Sequence, residues 1–207
     1  MSELAPAMIF FSGSSAVGKT STLDALDPLL FVRVPMTARA ERERMGNPSW
    51  DSLLTDVSLA MQHQSIMLER FMAIIDEASN ISDGRHQVFE RCLFDVVGYS
   101  YAFKCPPIFL DEQVKTIRDF EYKLSFKRRI LTAYFPICYS FPYAIEAARP
   151  PESVREACND WILSYWSVNN KSRDNYFFFD RGSPEKVTLD QFSSRLLYLA
   201  SVPVYGG

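Results

Sequence analysis

Apolar residues along this chain follow two alternating patterns. Short, nearly continuous apolar runs predict buried strands at residues 7–11, 29–34, 86–91, 130–141 and 175–180. Between them, apolar residues recur every three or four positions and predict helices. These cover residues 20–26, 51–79 and 111–129, a segment from about 93 to Pro106, one around 155–166, and a last one from about 183. Strands that alternate with helices predict an α/β fold with a mostly parallel five-stranded sheet and helices on both faces.

The longest predicted helix, at residues 51–79, carries one apolar stripe that a single amide interrupts. The stripe consists of Leu53, Val57, Met61, Gln64, Leu68, Phe71 and Ile75. Gln64 either faces a cleft, where its paired donor and acceptor suit a nucleobase edge, or is satisfied by neighbouring backbone. Gln62 and His63 lie off the stripe and are predicted to be exposed. If its second face is apolar, the helix is also a candidate homodimer surface.

The turn after the first predicted strand matches a phosphate-binding loop. Gly13 and the run Gly18-Lys19-Thr20 fit the pattern G-x-x-x-x-G-K-[ST] without a mismatch. In such a loop the backbone N–H groups surround phosphate oxygens, the lysine reaches the β- and γ-phosphates, and the threonine hydroxyl ligates Mg²⁺. The predicted ligands are therefore ATP and Mg²⁺, bound by Gly13, Ser14, Ser15, Ala16, Val17, Gly18, Lys19, Thr20 and Ser21.

Two charged residues, Glu90 and Arg91, end the third predicted strand. The carboxyl ends of parallel strands meet at one edge of a sheet, so both residues are expected beside the loop, facing the γ-phosphate. Glu90 is then either a Mg²⁺ ligand with Thr20 or the base that accepts the acceptor's proton, and Arg91 neutralises charge on the transferring group. The alternative is a structural ion pair that caps the next helix, near Asp95.

A basic segment at residues 36–44 follows the second predicted strand. Thr37 and Arg39 come at the carboxyl end of that strand, where they are placed to meet a phosphate acceptor. Arg42 and Arg44 alternate with glutamates and are predicted to be solvated. Arg39 is equally compatible with that solvated face.

The segment Phe89-Glu-Arg-Cys-Leu-Phe-Asp-Val-Val-Gly-Tyr99, together with the loop, resembles the small P-loop kinases that act on nucleosides and nucleotides. It is most similar to the AAA-ATPase-like kinase group that includes the ribosylnicotinamide kinase domain and many phage kinases. Their segment runs Asp/Glu-Arg-Ser-x-x-Asp-x-x-x-Tyr, and its positions correspond here to Glu90, Arg91, Asp95 and Tyr99, with Cys92 in place of the small hydroxyl residue. The resemblance implies a three-layer P-loop NTPase fold.

The resemblance also implies how the rest of the chain serves the site. It predicts one P-loop kinase domain over residues 1–207, with an acceptor-binding helical region at about 36–80. Arg39, Gln64 and Asp95 are its candidate substrate-binding residues. A lid at about 142–156 carries Arg149 and Arg155 and excludes water when it closes. The loop after the fifth strand, with Arg181 or residues 182–184, is expected to pack against adenine.

Composition narrows the cellular context. The chain has 207 residues, 47% of them hydrophobic, and a net charge of −3. An acidic chain does not favour nucleic-acid binding, although Lys123, Lys127, Arg128 and Arg129 form a local basic cluster. The four cysteines lack metal-ligand spacing and are expected to be reduced core thiols. No leader or membrane-spanning stretch is apparent, so a cytoplasmic protein without membrane association is expected, in the host cytoplasm if phage-encoded.

These features together predict an ATP-dependent kinase that transfers the γ-phosphoryl group to a nucleoside, a nucleotide or a modified nucleobase hydroxyl. A deoxynucleoside monophosphate or a nucleoside is the preferred acceptor, ahead of ribosylnicotinamide and a hydroxymethylated base in phage DNA. The alternative is a P-loop ATPase or switch protein that couples hydrolysis to a protein or nucleic-acid partner. A third hypothesis is a binding protein that keeps the loop without turnover.

Overall fold

A five-stranded parallel sheet forms the centre of the molecule. A computed structural model of the chain describes residues 6–81, 83–137, 149–169, 176–178 and 189–201. Its strands are β1 (Met8–Ser12), β2 (Phe31–Val34), β3 (His86–Phe89), β4 (Ile130–Tyr134) and β5 (Tyr176–Phe178). They lie in the order β2-β3-β1-β4-β5, and every pairing is parallel. The predicted sheet is confirmed.

The described helices cover both faces of the sheet; the first seven lie between successive strands, and the eighth follows β5. They are α1 (Lys19–Leu23), α2 (Ala38–Arg44), α3 (Trp50–Thr55), α4 (Val57–Ser79), α5 (Leu93–Ala102), α6 (Pro107–Ser125), α7 (Glu152–Asn169) and α8 (Leu189–Ser201). In the described part of the chain, no helix is both long and apolar enough to span a bilayer.

Alternate residues of β1 belong to two different hydrophobic layers. Ile9 and Phe11 pack in a cluster that includes Leu23 of α1 and Phe192 of α8. Met8 and Phe10 pack in a second cluster, which includes residues of α4, α5 and α6. Successive side chains of a strand point to opposite faces, so a strand without polar positions is buried on both. This produces the predicted three layers.

The predicted helix at residues 51–79 is divided in two. Asp56 adopts an extended conformation, with φ −114° and ψ 97°, and its carboxylate accepts a hydrogen bond from the backbone N–H of Leu59. This cap starts α4 and ends α3, because an aspartate at this position satisfies a donor that lacks a partner within the helix. The apolar stripe continues across the break, so its pattern did not reveal the cap. A homodimer along this surface stays a prediction.

Other boundaries differ by a few residues. Helix α6 begins at Pro107 rather than residue 111, because proline is well tolerated at the first position of a helix. The strand predicted at 130–141 ends at Tyr134, and residues 138–141 lie outside the described part. The basic cluster after α6 includes Arg128, which donates to the Ser79 and Ile81 carbonyl oxygens at 3.2 and 3.0 Å. These contacts cover the C-terminus of α4.

Gly98 allows α5 and α7 to approach closely, and we expect Gly98→Ala to destabilise the protein. An added Cβ would lie 2.9 Å from Cys158 Sγ and 3.0 Å from Ile162 Cγ1, and both residues are fully buried. Overpacking costs about 1–3 kcal/mol, whereas alanine gains only about 1 kcal/mol in helix propensity. Urea denaturation should show a lower free energy of unfolding. Ser167→Ala, an exposed change on α7, is the control, and equal stability of the two variants would refute the expectation.

Candidate active site

The phosphate-binding loop lies between β1 and α1, as its motif requires. Gly13 has a φ of 137° and Gly18 a φ of 91°, in a region that favours glycine. A Cβ on Gly13 would also overlap the carbonyl oxygen of Phe135, next to the end of β4. The motif therefore has glycine at two positions where the backbone conformation would strain any other residue.

Lys19 is the buried cation at the centre of the loop. Its side chain is 4% exposed, and its Nζ donates to the Gly13 and Ser14 carbonyl oxygens at 2.5 and 2.6 Å. Burial, with a smaller effect from the Arg91 charge, lowers the pKa of Lys19 to about 7. A bound anion would stabilise the charged form of a lysine buried in this way, because desolvation penalises the unpaired charge.

Asp95 ties the beginning of the loop to α5. Its Oδ1 accepts hydrogen bonds from Ser12 Oγ at 2.8 Å and from the Gly13 N–H at 3.0 Å. Its Oδ2 accepts from the backbone N–H of Cys92 at 3.3 Å. The side chain lines the cavity but is 1% exposed. These bonds stabilise the loop directly, and contact with a substrate stays a prediction.

Ser15 of the loop is held from two sides. Its backbone N–H donates to the Tyr99 hydroxyl at 3.2 Å, and its carbonyl oxygen accepts from Arg155 Nε at 3.0 Å. Arg155 is 3% exposed and comes from α7. The sequence identified Tyr99 only as a matching position and Arg155 as a lid residue; the structure brings both against the loop.

Glu90 and Thr20 form the oxygen-rich side of the site. Thr20 Oγ1 donates to Glu90 Oε1 at 2.6 Å, and Arg33 Nη2 donates to Glu90 Oε2 at 2.8 Å. Arg33 also binds Asp24 at 2.9 Å. Sequence reasoning missed Arg33. Its signal was a charged residue within an otherwise apolar strand, near the strand's carboxyl end.

Arg91 follows Glu90 at the end of β3 and contacts the beginning of the loop. Its Nη1 donates to the Gly13 carbonyl oxygen at 3.3 Å and lies 4.0 Å from Asp95 Oδ2. The guanidinium carbon lies 5.9 Å from the centre of the Tyr99 ring. The predicted proximity of Glu90, Arg91 and the loop is thus present in the structure.

One cavity of about 650 Å³ joins the loop to the helices that follow β2. The loop side includes residues 15–21, Glu90 and Arg91. The far side contains Arg39 and Gln64, both predicted to bind the acceptor, and Arg149 also lines the cavity. Its aromatic and apolar walls come from Trp50, Met67, Phe71, Val96, Tyr99 and Phe103. Planar rings with polar edges fit such a wall, because aromatic side chains stack on them.

His63 and Gln64 form a buried polar pair in this cavity. The Gln64 Nε2 and His63 Nδ1 atoms are 3.0 Å apart, and the residues are 3% and 5% exposed respectively. The expectation that His63 is exposed was wrong. Burial, and less strongly the Arg42 charge, lowers the pKa of His63 to about 4, so the imidazole is neutral near pH 7.

Arg42 was predicted to be solvated, and this was also wrong. It is 8% exposed, its guanidinium lies 4.2 Å from the centre of the Trp50 ring, and its Nε donates to Asn47 Oδ1 at 2.8 Å. Helices α2 and α3 pack against α4, and they cover more of its surface than the apolar stripe alone. The buried surface of α4 therefore also includes His63, and Arg42 of α2 is buried as well.

Several predicted features lie outside the described residues. These are residues 142–148 of the lid, and Arg181 with residues 182–184 of the adenine-facing loop. Within the described part of the chain, no group of three or more His, Cys, Asp and Glu side chains could hold a metal ion. The three cysteines described, Cys92, Cys105 and Cys158, are free and buried.

Nucleotide binding is predicted to take up a proton at Lys19 above neutral pH. A bound triphosphate favours the charged amine and raises the pKa from its value of about 7. Below that pH the amine is charged with or without ligand, whereas above it the charge is acquired on binding. We expect uptake of nearly one proton at about pH 8, and about tenfold weaker binding per further pH unit.

Calorimetry in buffers of different ionisation enthalpy measures this uptake directly. The Lys19→Met variant should bind nucleotide without it. Equal proton uptake by the parent and the variant would assign the proton to another group and contradict the prediction.

Comparisons with known proteins identify the fold. No protein-family model matches the sequence, and no curated protein matches it. Among solved structures, NadR in complex with NR has a TM-score of 0.67 at 14% identity, covering 97% of this chain and 53% of NadR. The deoxyadenosine kinase from M. mycoides, with products dCMP and a flexible dCDP, has a TM-score of 0.61 at 13% identity, covering 92% and 99%.

Thymidylate kinase from Candida albicans has a TM-score of 0.61 at 12% identity, covering 94% of this chain and 91% of that kinase. The chain spans about half the length of NadR and nearly all of the two other kinases. Such low identities establish the architecture only. The chain therefore has the fold of the P-loop nucleoside and nucleotide kinases, as the resemblance at residues 89–99 predicted.

Proposed function

We propose that this protein transfers the γ-phosphoryl group of ATP to a nucleoside or nucleotide. The observation that carries the proposal is the single cavity that contains both the phosphate-binding loop and the polar and aromatic residues of α2 to α4. A donor phosphate at the loop and an acceptor beside α2 to α4 would share one cavity. Proximity of this kind removes much of the entropic barrier to transfer between two substrates.

The comparisons support the acceptor class. Two of the similar structures are a deoxyadenosine kinase and a thymidylate kinase, and NadR was solved with NR. All three superpose on at least 92% of this chain. Aromatic walls and the Gln64 amide suit a planar base with hydrogen-bonding edges.

Lys19 and Arg91 are proposed to stabilise charge on the transferring group. In the structure both donate to the Gly13 carbonyl oxygen, so the two cations converge on the position where the loop begins. Phosphate oxygens would replace the carbonyl oxygens as acceptors of the Lys19 ammonium. Fixed cations of this kind lower the barrier because they need no reorganisation during the reaction.

The residues present fit a Mg²⁺ site that substrate phosphates complete. The Thr20 hydroxyl and the Glu90 carboxylate are already within 2.6 Å of each other, and both are hard oxygen donors. Mg²⁺ is commonly held by one or two carboxylates together with substrate phosphates, which suits a site without a dedicated protein cage. When bound, the ion would neutralise charge on the β- and γ-phosphates.

The remaining predicted residues receive different proposed roles. Arg149 lines the cavity and is proposed to contact phosphate when the lid closes. Asp95 and Arg155 bind the loop itself, so we propose that they position it. Gln64 is proposed to form hydrogen bonds with the base. His63, which is buried beside the Gln64 amide, is proposed to assist it.

Transfer of label from γ-labelled ATP tests the proposed function. The acceptors are nucleosides, nucleoside monophosphates, ribosylnicotinamide, and DNA with and without hydroxymethylated bases. Labelled product with any of them, formed about 100- to 1,000-fold more slowly by the Lys19→Met variant, would support a kinase. Stable ATP without acceptors, combined with hydrolysis that a protein or DNA stimulates, would instead establish the switch or ATPase alternative.

A further inference from the structure

The cavity carries more positive charge than a nucleotide donor needs. Among the described residues that line it, two are carboxylates, Glu90 and Asp95, and six are cations. The cations are Lys19, Arg33, Arg39, Arg42, Arg91 and Arg149. The surplus is four charges, or three if Arg33 is assigned to Asp24 outside the cavity. ATP with one Mg²⁺ carries only roughly two net negative charges, so the excess needs another anion.

The excess is concentrated on α2, away from the loop. Arg39 is exposed and lines the cavity. Burial, and less strongly the Arg39 charge, lowers the pKa of Arg42, and the Glu43 charge offsets this only in part. Arg42 Nε donates a hydrogen bond to the neutral Asn47 amide. Two like charges in this position repel each other, and an anion bound beside them would relieve that repulsion.

Among the described residues that line the cavity, none is free to accept the proton that a hydroxyl acceptor would release. Both Asp95 oxygens are occupied by hydrogen bonds from Ser12, Gly13 and Cys92. Glu90 is bound to Thr20 and Arg33, on the side proposed for Mg²⁺. His63 is buried and adjoins Gln64, and with a pKa of about 4 it is a weak base. An acceptor that needs no deprotonation removes this requirement.

We propose that the acceptor is a nucleoside monophosphate, whose phosphate group lies among the cavity arginines with Arg39 as a principal contact. A monophosphate carries about two negative charges near pH 7, enough to neutralise the one or two positive charges of the cavity that remain once ATP and Mg²⁺ are bound. One of its ionised oxygens attacks the γ-phosphorus of ATP, the bond from that phosphorus to the β-phosphate oxygen breaks, and the electron pair leaves with ADP. The products are a nucleoside diphosphate and ADP, and no proton is released from the acceptor. This inference rests on the proposed kinase function.

Matched acceptor pairs test the inference. Each deoxynucleoside and ribonucleoside is compared with its own 5′-monophosphate in transfer from γ-labelled ATP, with a hydroxymethylated oligonucleotide as a further arm. We expect a labelled diphosphate from at least one monophosphate, and a kcat/KM at least about 1,000-fold lower for the matching nucleoside. A nucleoside or oligonucleotide that reacts as well as any monophosphate overturns the inference but leaves a kinase. No labelled product from any acceptor overturns both proposals.

A variant of Arg39 separates a phosphate contact from a merely structural role. Arg39→Gln should raise the KM for the monophosphate about 30-fold or more and leave the affinity for ATP unchanged. Arg70→Gln, an exposed change on α4 outside the cavity, is the matched control. Equal KM values in both variants, with an intact fold by circular dichroism, would remove Arg39 from the acceptor site and overturn the inference.

Discussion

Replacement of Lys19 by methionine should lower kcat by about 100- to 1,000-fold, the loss typical of one preorganised charge contact at a transferring group. Methionine keeps much of the buried aliphatic volume but removes the ammonium that donates to the Gly13 and Ser14 carbonyl oxygens. Saturating concentrations of ATP and acceptor isolate the effect on kcat. Arg91 still donates to the Gly13 oxygen in the variant, so the loop retains a contact at its start.

The matched control is Lys115→Met, which removes an exposed lysine of α6 far from the motif in sequence. It should retain parental turnover. Thermal melts and nucleotide binding show whether the Lys19 variant remains folded. A folded Lys19→Met protein with parental kcat would exclude Lys19 from phosphoryl transfer.

The second large effect is expected for Glu90→Gln. This change keeps the size of the side chain but removes the charge that faces Thr20 and Arg33. If Glu90 ligates Mg²⁺, kcat should fall about 100-fold, and half-saturation should need about 10- to 100-fold more Mg²⁺. Titration of activity with MgCl₂ at fixed ATP measures both quantities.

The Mg²⁺ dependence distinguishes the two roles that the sequence left open for Glu90. A base would change kcat and its pH profile without changing the Mg²⁺ requirement, because proton transfer does not involve binding of the ion. Glu69→Gln, at an exposed position of α4, controls for loss of a carboxylate elsewhere. An unchanged kcat and Mg²⁺ requirement in Glu90→Gln would exclude both roles.

The fold was largely predictable because its central strand has no polar face. Met8 to Phe11 is apolar at every position, which is the pattern of a strand covered on both sides. Such a strand requires helices on each face, and the helical periodicity of the intervening segments supplied them. The loop motif then specified which strand end carries phosphate. The pattern missed the Asp56 break, because a capped turn preserves the spacing of the apolar stripe.

The site was predictable only where its residues follow a local rule. The loop and the Glu90-Arg91 pair are short, contiguous signals at strand ends, and the structure brings them together. The contact of Arg33 with Glu90 and the burial of His63 and Arg42 were missed because they depend on segments that meet only in the folded chain. A charged residue among glutamates, such as Arg42, is indistinguishable from a solvated one until Trp50 covers it.

The sequence by itself determined the loop, the alternation of strands and helices, and the charged end of the third strand, because each depends on neighbouring residues. Tertiary structure decided that Asp95, Tyr99 and Arg155 hold the loop, across 82 to 140 residues of sequence. It also decided that the cations of α2 share one cavity with the loop. Contacts of this kind depend on the packing of helices against the sheet, and no local pattern encodes them.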